Sequence, residues 1–171
     1  MTSVTVTCPD THPGERCWLL APLGWPATRP SARQLHRMLA SLADLLGTVA
    51  AAHRLATELA ARSGPPAPGW PAALGAIDVV AVDATDTVAL VCQLIDHDLD
   101  EAAGHLREGL DHRLQALQLL RGAVRTDWPV GLDHQHVAEL LADVIDHLDQ
   151  AGRSLAAADH TLITATRKAR E

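Results

Sequence analysis

Residues 133–171 read DHQHVAELLADVIDHLDQAGRSLAAADHTLITATRKARE, from Asp133 to Glu171. The apolar residues of this segment recur in steps of four and three, the spacing of a helix that packs along its length against another helix. One row of this seam shrinks from valine to alanine, so a partner helix can approach it closely. We therefore predict a long helix with an interaction seam that consists of Val137, Leu141, Val144, Leu148, Ala151, Leu155, Ala158, Leu162 and Ala165, and continues to Ala169.

A second long helix is predicted to begin at Ser31. Ser31 and Gln34 have the spacing of a capping box, in which each side chain binds a backbone amide of the first helical turn. The Gly64-Pro65-Pro66 run ends this helix. Its apolar residues also step by fours and threes, and the predicted seam is Leu35, Met38, Leu42, Leu45, Val49, Ala52, Ala56 and Leu59.

The segment between these two helices has a different period. From Ile77 to Leu110 the apolar residues, Val91, Ile95 and Leu99 among them, step by three, four and four, which predicts a nearly straight helical seam. One helix over the whole segment would be unusually long. An interruption near Asp83–Asp86 is the alternative, because β-branched residues precede Asp83 and an aspartate can cap a new helix.

These patterns predict an all-α protein. We expect three long, mainly antiparallel helices that form a bundle or coiled coil, the second of them with an interruption near Asp83–Asp86 as the alternative to a continuous helix. Prolines recur through residues 1–30, so this part is predicted to be an irregular strap. Residues 31–171 are predicted to form a single helical-bundle domain with a Pro/Gly linker at 63–71.

The net charge of the protein limits the kinds of molecule that it is expected to bind. The formal net charge is −7, and 21 acidic residues stand against 14 basic ones. Nucleic acids and anionic membranes are bound through clustered cations, so we expect neither as a partner. No window has enough uncharged apolar residues to predict a transmembrane helix.

The number and positions of the cysteines indicate the cellular compartment in which the protein is expected to occur. Three cysteines, Cys8, Cys17 and Cys92, are too few for a disulfide framework. The N-terminus lacks the basic start and apolar run of a signal peptide. Reduced thiols in a cytoplasmic protein are therefore expected, although Cys8 and Cys17 could pair in an oxidising compartment.

A stripe of histidines and glutamates is the sharpest polar pattern. His and Glu alternate at steps of three and four, so on a continuous helix they share one face. Such pairs can bind a divalent metal, but a tight site needs three or four converging ligands. The seam-bearing C-terminal helix offers Glu139, Asp143 and His147 at similar spacing. We interpret the stripe as a solvated face and keep its members as candidate metal ligands: His97, Glu101, His105, Glu108 and His112.

A second histidine pattern lies in the first helix. Residues His53 to Leu59 read HRLATEL, and four of the seven match the H-x-L-x-T-x-L pattern. This segment resembles the phosphoacceptor helix of sensor histidine kinases, which implies a phosphotransfer bundle with His53 as the acceptor. Arg54 and Glu58 stand where that family has an acidic residue and a proline.

The sequence favours a function without catalysis. No G-x-S-x-G nucleophile motif and no phosphate-binding glycine loop is present. We expect a non-enzymatic cytoplasmic scaffold or adaptor with no cofactor, which binds a protein partner or a second copy of itself. Histidine chemistry is the alternative, either as a divalent-metal-binding bundle or as a phosphotransfer-like bundle.

Overall fold

The protein is described here by a computed structural model that covers residues 30–62, 70–81, 87–125 and 134–168. Over these residues the chain is all-α, as predicted, and no strand occurs in them. The helices are α1 (Ala32–Ala60), α2 (Trp70–Ala81), α3 (Thr87–Asp96), α4 (Asp100–Arg125) and α5 (His134–Lys168). The three long helices predicted from the sequence correspond to α1, to the segment that divides into α2, α3 and α4, and to α5.

Helix α1 begins with the predicted capping box. The Gln34 amide donates to Ser31 Oγ at 3.3 Å, and the Ser31 amide donates to Gln34 Oε1 at 2.8 Å. These bonds satisfy amides that have no partner within the helix. All eight residues of the predicted α1 seam, from Leu35 to Leu59, are buried. The sequence therefore located both the start of this helix and the face that it buries.

Helix α5 buries its predicted seam from Val137 to Leu162. At its end the pattern departs from the prediction, because Ala165 is only half-buried and Thr166 is buried instead. A straight helix drifts by about 20° per heptad relative to a strict 3.5-residue repeat, so over four heptads the core face moves on by one residue. The Thr166 hydroxyl donates to the Leu162 carbonyl at 2.8 Å and is thereby satisfied. Ala169 lies outside the described residues.

The prediction of a continuous second helix is wrong. Helix α3 ends at Asp96 and α4 begins at Asp100, and the turn between them is a break that the sequence pattern did not indicate. Asp98 has a φ of 57°, the left-handed conformation that ends many helices. The break that was considered, at Asp83–Asp86, lies outside the described residues.

Two backbone hydrogen bonds form this turn. The Leu99 amide donates to the Leu94 carbonyl at 2.9 Å and the Asp98 amide to the Ile95 carbonyl at 3.1 Å, the pattern of a Schellman motif. The Leu99 carbonyl then accepts from Ala103 at 2.9 Å, as the residue before a helix does. Leu99 thus belongs to the end of α3 and to the start of α4, and the chain needs no longer loop between them.

The burial within α3 also differs from the predicted seam. Leu90 and Leu94 are buried, whereas the predicted seam residues Val91 and Ile95 are half-buried. A seam read through a helix break loses its phase, since α3 and α4 no longer share one axis. This difference leaves part of the apolar surface of α3 accessible.

All five helices contribute to one apolar core in the described part of the chain. Helix α5 packs against α4 and α1, α2 packs against α1 and α4, and α3 packs against α4. The seam of α5 is therefore already covered within one chain. No helix in the described ranges is long and apolar enough to cross a membrane.

The predicted domain boundaries are only partly within the described residues. Residues 1–29 of the predicted strap and residues 63–69 of the predicted linker lie outside them. Trp70 and Pro71, the last two residues of the predicted linker, belong to the first turn of α2. Proline is compatible with the first turn of a helix because amides there have no partner within the helix.

Candidate functional site

The predicted metal-ligand stripe is not a continuous face. His97 lies in the turn before α4, whereas Glu101, His105, Glu108 and His112 lie on α4 itself. Asp98 breaks the helix between the first residue and the rest, so the spacing that placed them on one face does not apply to His97. The prediction of a single solvated stripe is wrong for this residue.

His97 contacts the start of α1 instead. Its Nε2 atom lies 3.4 Å from Gln34 Nε2, the amide of the capping box. The turn between α3 and α4 is therefore held close to the first turn of α1. Through this contact His97 joins the turn before α4 to the start of α1.

The members of the stripe on α4 differ in exposure. Glu101 and Glu108 are exposed, whereas His105 and His112 are half-buried. His105 Nδ1 lies 3.9 Å from Glu108 Oε2, a pair one turn apart of the kind that stabilises helices slightly. The stripe is thus solvated on its glutamate side and lies against the fold on its histidine side.

A contact between two histidine rings joins α4 to α5. The rings of His112 and His147 have centroids 5.7 Å apart and planes tilted by 31°. The Nδ1 atom of each ring is buried and has no hydrogen-bond partner among the described residues. Two imidazole nitrogens thus lie between two helices without the partners that buried polar atoms normally have.

The close packing of α4 on α5 explains why these two rings meet. A Cβ atom on Gly109 would lie 2.8 Å from Leu155 Cγ and 3.2 Å from the Ala151 carbonyl oxygen. The contacts of Gly109 with Leu155 and of His112 with His147 show that the two helices run antiparallel. His112 lies three residues after this close contact, so the short distance between the helices extends to the two rings.

The register of these helices places other pairs along the same edge. If the pairing of His112 with His147 is continued along both helices, His105, one heptad earlier, aligns with Ser154, and Leu119, one heptad later, aligns with Leu140. Leu119 and Leu140 pack against the core. On this alignment the histidine pair lies between a polar pair, His105 and Ser154, and an apolar pair, Leu119 and Leu140.

Two carboxylates lie one helical turn before the histidines along their own helices. Glu108 precedes His112 by four residues and Asp143 precedes His147 by four, and both carboxylates are exposed. Glu139, the other acidic candidate on α5, accepts a hydrogen bond from Gln135 Nε2 at 2.9 Å. In the ranges that the structure describes, no group of three or more His, Cys, Asp or Glu side chains could hold a metal ion.

Sequence reasoning named both residues of the pair but did not connect them. His112 was placed in the stripe of one helix and His147 in a similar stripe of another. The juxtaposition depends on the register between α4 and α5, and the close approach at Gly109 fixes that register. An antiparallel alignment of the two helices through their small residues, Gly109 and Ala151, is the signal that could have found it.

His53, the candidate phosphoacceptor, lies half-buried on α1. Its carbonyl oxygen accepts a hydrogen bond from Thr57 Oγ1 at 2.9 Å, a bond within the helix. Thr57, which the resemblance to the kinase motif singles out, is thus engaged with the backbone of its own helix. The phosphotransfer hypothesis stays a prediction.

Two imidazole groups on facing helices can share a metal ion or an ordered water molecule, and each nitrogen can donate or accept according to its protonation. Comparison of the chain with known protein families, curated proteins and solved structures found no match.

Proposed function

We propose that the protein is a non-enzymatic helical scaffold that binds a protein through the surface of its helices, with a second copy of the chain as the first candidate partner. In this proposal α1, α4 and α5 form an antiparallel helical bundle, and α2 and α3 cover part of it. The antiparallel packing of α4 on α5 and the contacts of α2 with α1 and α4 support this arrangement.

The observation that carries the proposal is an apolar surface on α3 and α4. Leu114 on α4 is 49% exposed, the only large hydrophobic side chain of that exposure in the described ranges. Leu110, one turn earlier on the same helix, is half-buried, as are Val91 and Ile95 on α3. Helix α3 packs against α4, so these residues belong to neighbouring elements. Val91, Ile95 and Leu110 also pack partly against the core, so Leu114 is the exposed residue of this surface. Exposed apolar surface is typical of protein interaction sites.

The rest of the described surface supports the same function. Its polar side chains pair locally, as in the bond from Arg153 to Asp149 at 2.9 Å and the bond from Gln135 to Glu139 at 2.9 Å. Both side chains of the Arg153–Asp149 pair are more than half exposed, and such pairs contribute little to stability. These polar faces keep the helices solvated, while the α3–α4 surface is available for binding.

We place this scaffold in a reducing cytoplasm, as its small number of cysteines favours. Cys92 is half-buried on α3, close in sequence to Val91 of the proposed surface. A reduced thiol there behaves as a small hydrophobic side chain and suits an apolar contact.

Sedimentation velocity of the full chain tests the proposal. We expect the wild type to self-associate at tens of micromolar and Leu114→Gln to shift the equilibrium towards the monomer. Gln118→Ala is the matched control, because Gln118 is exposed one turn further along α4 and is polar. A wild type that is monomeric at all concentrations, together with equal recovery of host proteins on immobilised wild type and Leu114→Gln, would contradict the proposal.

A further inference from the structure

We propose that His112 and His147 form a binding site for one divalent late transition-metal ion, of which zinc is the representative, and that this ion links α4 to α5. The site goes beyond the proposed scaffold function and does not depend on it. It also differs from the stripe along α4, because its two ligands come from facing helices.

The separation of the rings suits a shared ion. With zinc–nitrogen bonds of about 2.1 Å, two imidazoles on one tetrahedral ion have ring centroids about 5 Å apart. The centroid distance between His112 and His147 is 5.7 Å. The difference is small enough for side-chain rotations to close it.

The unpartnered nitrogens are the second observation. Each Nδ1 atom is buried, and neither has a hydrogen-bond partner in the part of the chain that the structure describes. A buried polar atom normally has a partner, so these two nitrogens on adjacent rings have the capacity to bind one ligand. Imidazole nitrogen is a preferred ligand of zinc, copper and nickel, so one of these ions is a suitable partner.

The coordination set indicates an exchangeable ion. Structural zinc sites have four protein ligands, whereas here two histidines converge and no third His, Cys, Asp or Glu side chain in the described ranges completes a cluster. Water fills the remaining positions, and Glu108 and Asp143, each one turn from a ligand, contribute negative charge nearby. An ion held in this way binds reversibly and strengthens the contact between α4 and α5 when it is present.

Calorimetric titration of the metal-free full chain with Zn²⁺ tests the site. We expect one ion per chain for the wild type, with affinity lowered about tenfold or more by His112→Gln and by His147→Gln. His160→Gln and His105→Gln are the controls, because His160 is exposed on α5 and His105 belongs to the α4 stripe. Both controls should bind Zn²⁺ as the wild type does.

A second measurement separates loss of a ligand from loss of the fold. Circular dichroism without metal should show native helix content in both ligand variants, and Zn²⁺ should raise the Tm of the wild type but of neither variant. If one variant fails to fold, the other still tests the site. Cu²⁺ gives a direct check, since its electron paramagnetic resonance spectrum should show two nitrogen ligands in the wild type and one in each variant.

Three results would overturn the site. One is the absence of stoichiometric Zn²⁺ binding by the wild type. Another is undiminished binding by folded His112→Gln or His147→Gln. The third is loss of binding in His105→Gln alone, which would return the metal to the stripe along α4.

Discussion

Two glycines of α4 differ in what an added methyl group would meet. A Cβ on Gly109 would lie 2.8 Å from Leu155 Cγ, whereas a Cβ on Gly104 would meet nothing within 4 Å. Alanine is favoured over glycine in a helix by about 1 kcal/mol, and forcing extra atoms into packed space costs about 1–3 kcal/mol. We expect Gly104→Ala to raise the free energy of unfolding by up to about 1 kcal/mol, and Gly109→Ala to lower it by about 1 kcal/mol. Urea unfolding of the two variants, each the control for the other, measures the difference.

The same comparison tests the packing of α4 on α5. If Gly109→Ala were as stable as Gly104→Ala, the side chain of Leu155 would have space to move aside, and the close approach would not fix the register. The sequence alone does not distinguish the two glycines, since both lie within the same helical pattern. Only the packed position of α5 separates them, since Gly104 is exposed and Gly109 is buried.

At the scale of the element, the start of α1 depends on Ser31. Its hydroxyl oxygen accepts from the Gln34 backbone amide at 3.3 Å, and Gln34 Oε1 accepts from the Ser31 backbone amide at 2.8 Å. Loss of an N-cap side chain costs about 0.5–2 kcal/mol. We expect Ser31→Ala to lower the free energy of unfolding by about 1 kcal/mol. Ser41→Ala, within the same helix, should be neutral or stabilising because alanine has the higher helix propensity. Thermal unfolding of both variants tests this prediction. Equal loss of stability in the two variants would contradict it.

The turn between α3 and α4, like the start of α1, depends on a single residue. Asp98 has a φ of 57°, a conformation that glycine adopts readily and that costs other residues about 1–2 kcal/mol. We expect Asp98→Gly to stabilise the fold by about 0.5–1 kcal/mol and Asp98→Val to destabilise it by more than 1 kcal/mol, with the wild type between them. Chemical unfolding gives the order. Equal stability of the glycine and valine variants would show that this backbone conformation does not limit stability.

This turn explains why the second helix was predicted wrongly. Helix ends are recognised in sequence by glycine at the left-handed position or by a nearby proline, and here an aspartate occupies it. The apolar spacing also continues across the turn, because Leu99 takes part both in the end of α3 and in the start of α4. In α1 the opposite holds, since a capping box and a stop signal both mark the ends, and its seam was predicted residue by residue.

At the scale of the whole molecule, the predictable part is the part that one helix determines alone. A buried face follows from the spacing within an element, so the seams of α1 and of most of α5 could be read from the sequence. The contact of His112 with His147 depends on the register between two helices, which no single spacing encodes. The same is true of Leu114, whose exposure depends on which surface of α4 the other helices leave uncovered.

A substitution in the α5 seam tests whether the seam is buried within one chain or between copies of the chain. Ala158 has 0% exposure within one chain, whereas Ala156, two residues earlier, is exposed. Overpacking a core costs about 1–3 kcal/mol, so we expect Ala158→Leu to lower the free energy of unfolding by that amount and Ala156→Leu to leave it nearly unchanged. Because the contact lies within the chain, the loss should be the same at low and high protein concentration. Urea unfolding across a wide concentration range, with oligomer size measured alongside, checks this. If Ala158→Leu kept its stability but lost self-association, the seam would lie between copies of the chain. The surface on α3 and α4 would then not be the site of self-association.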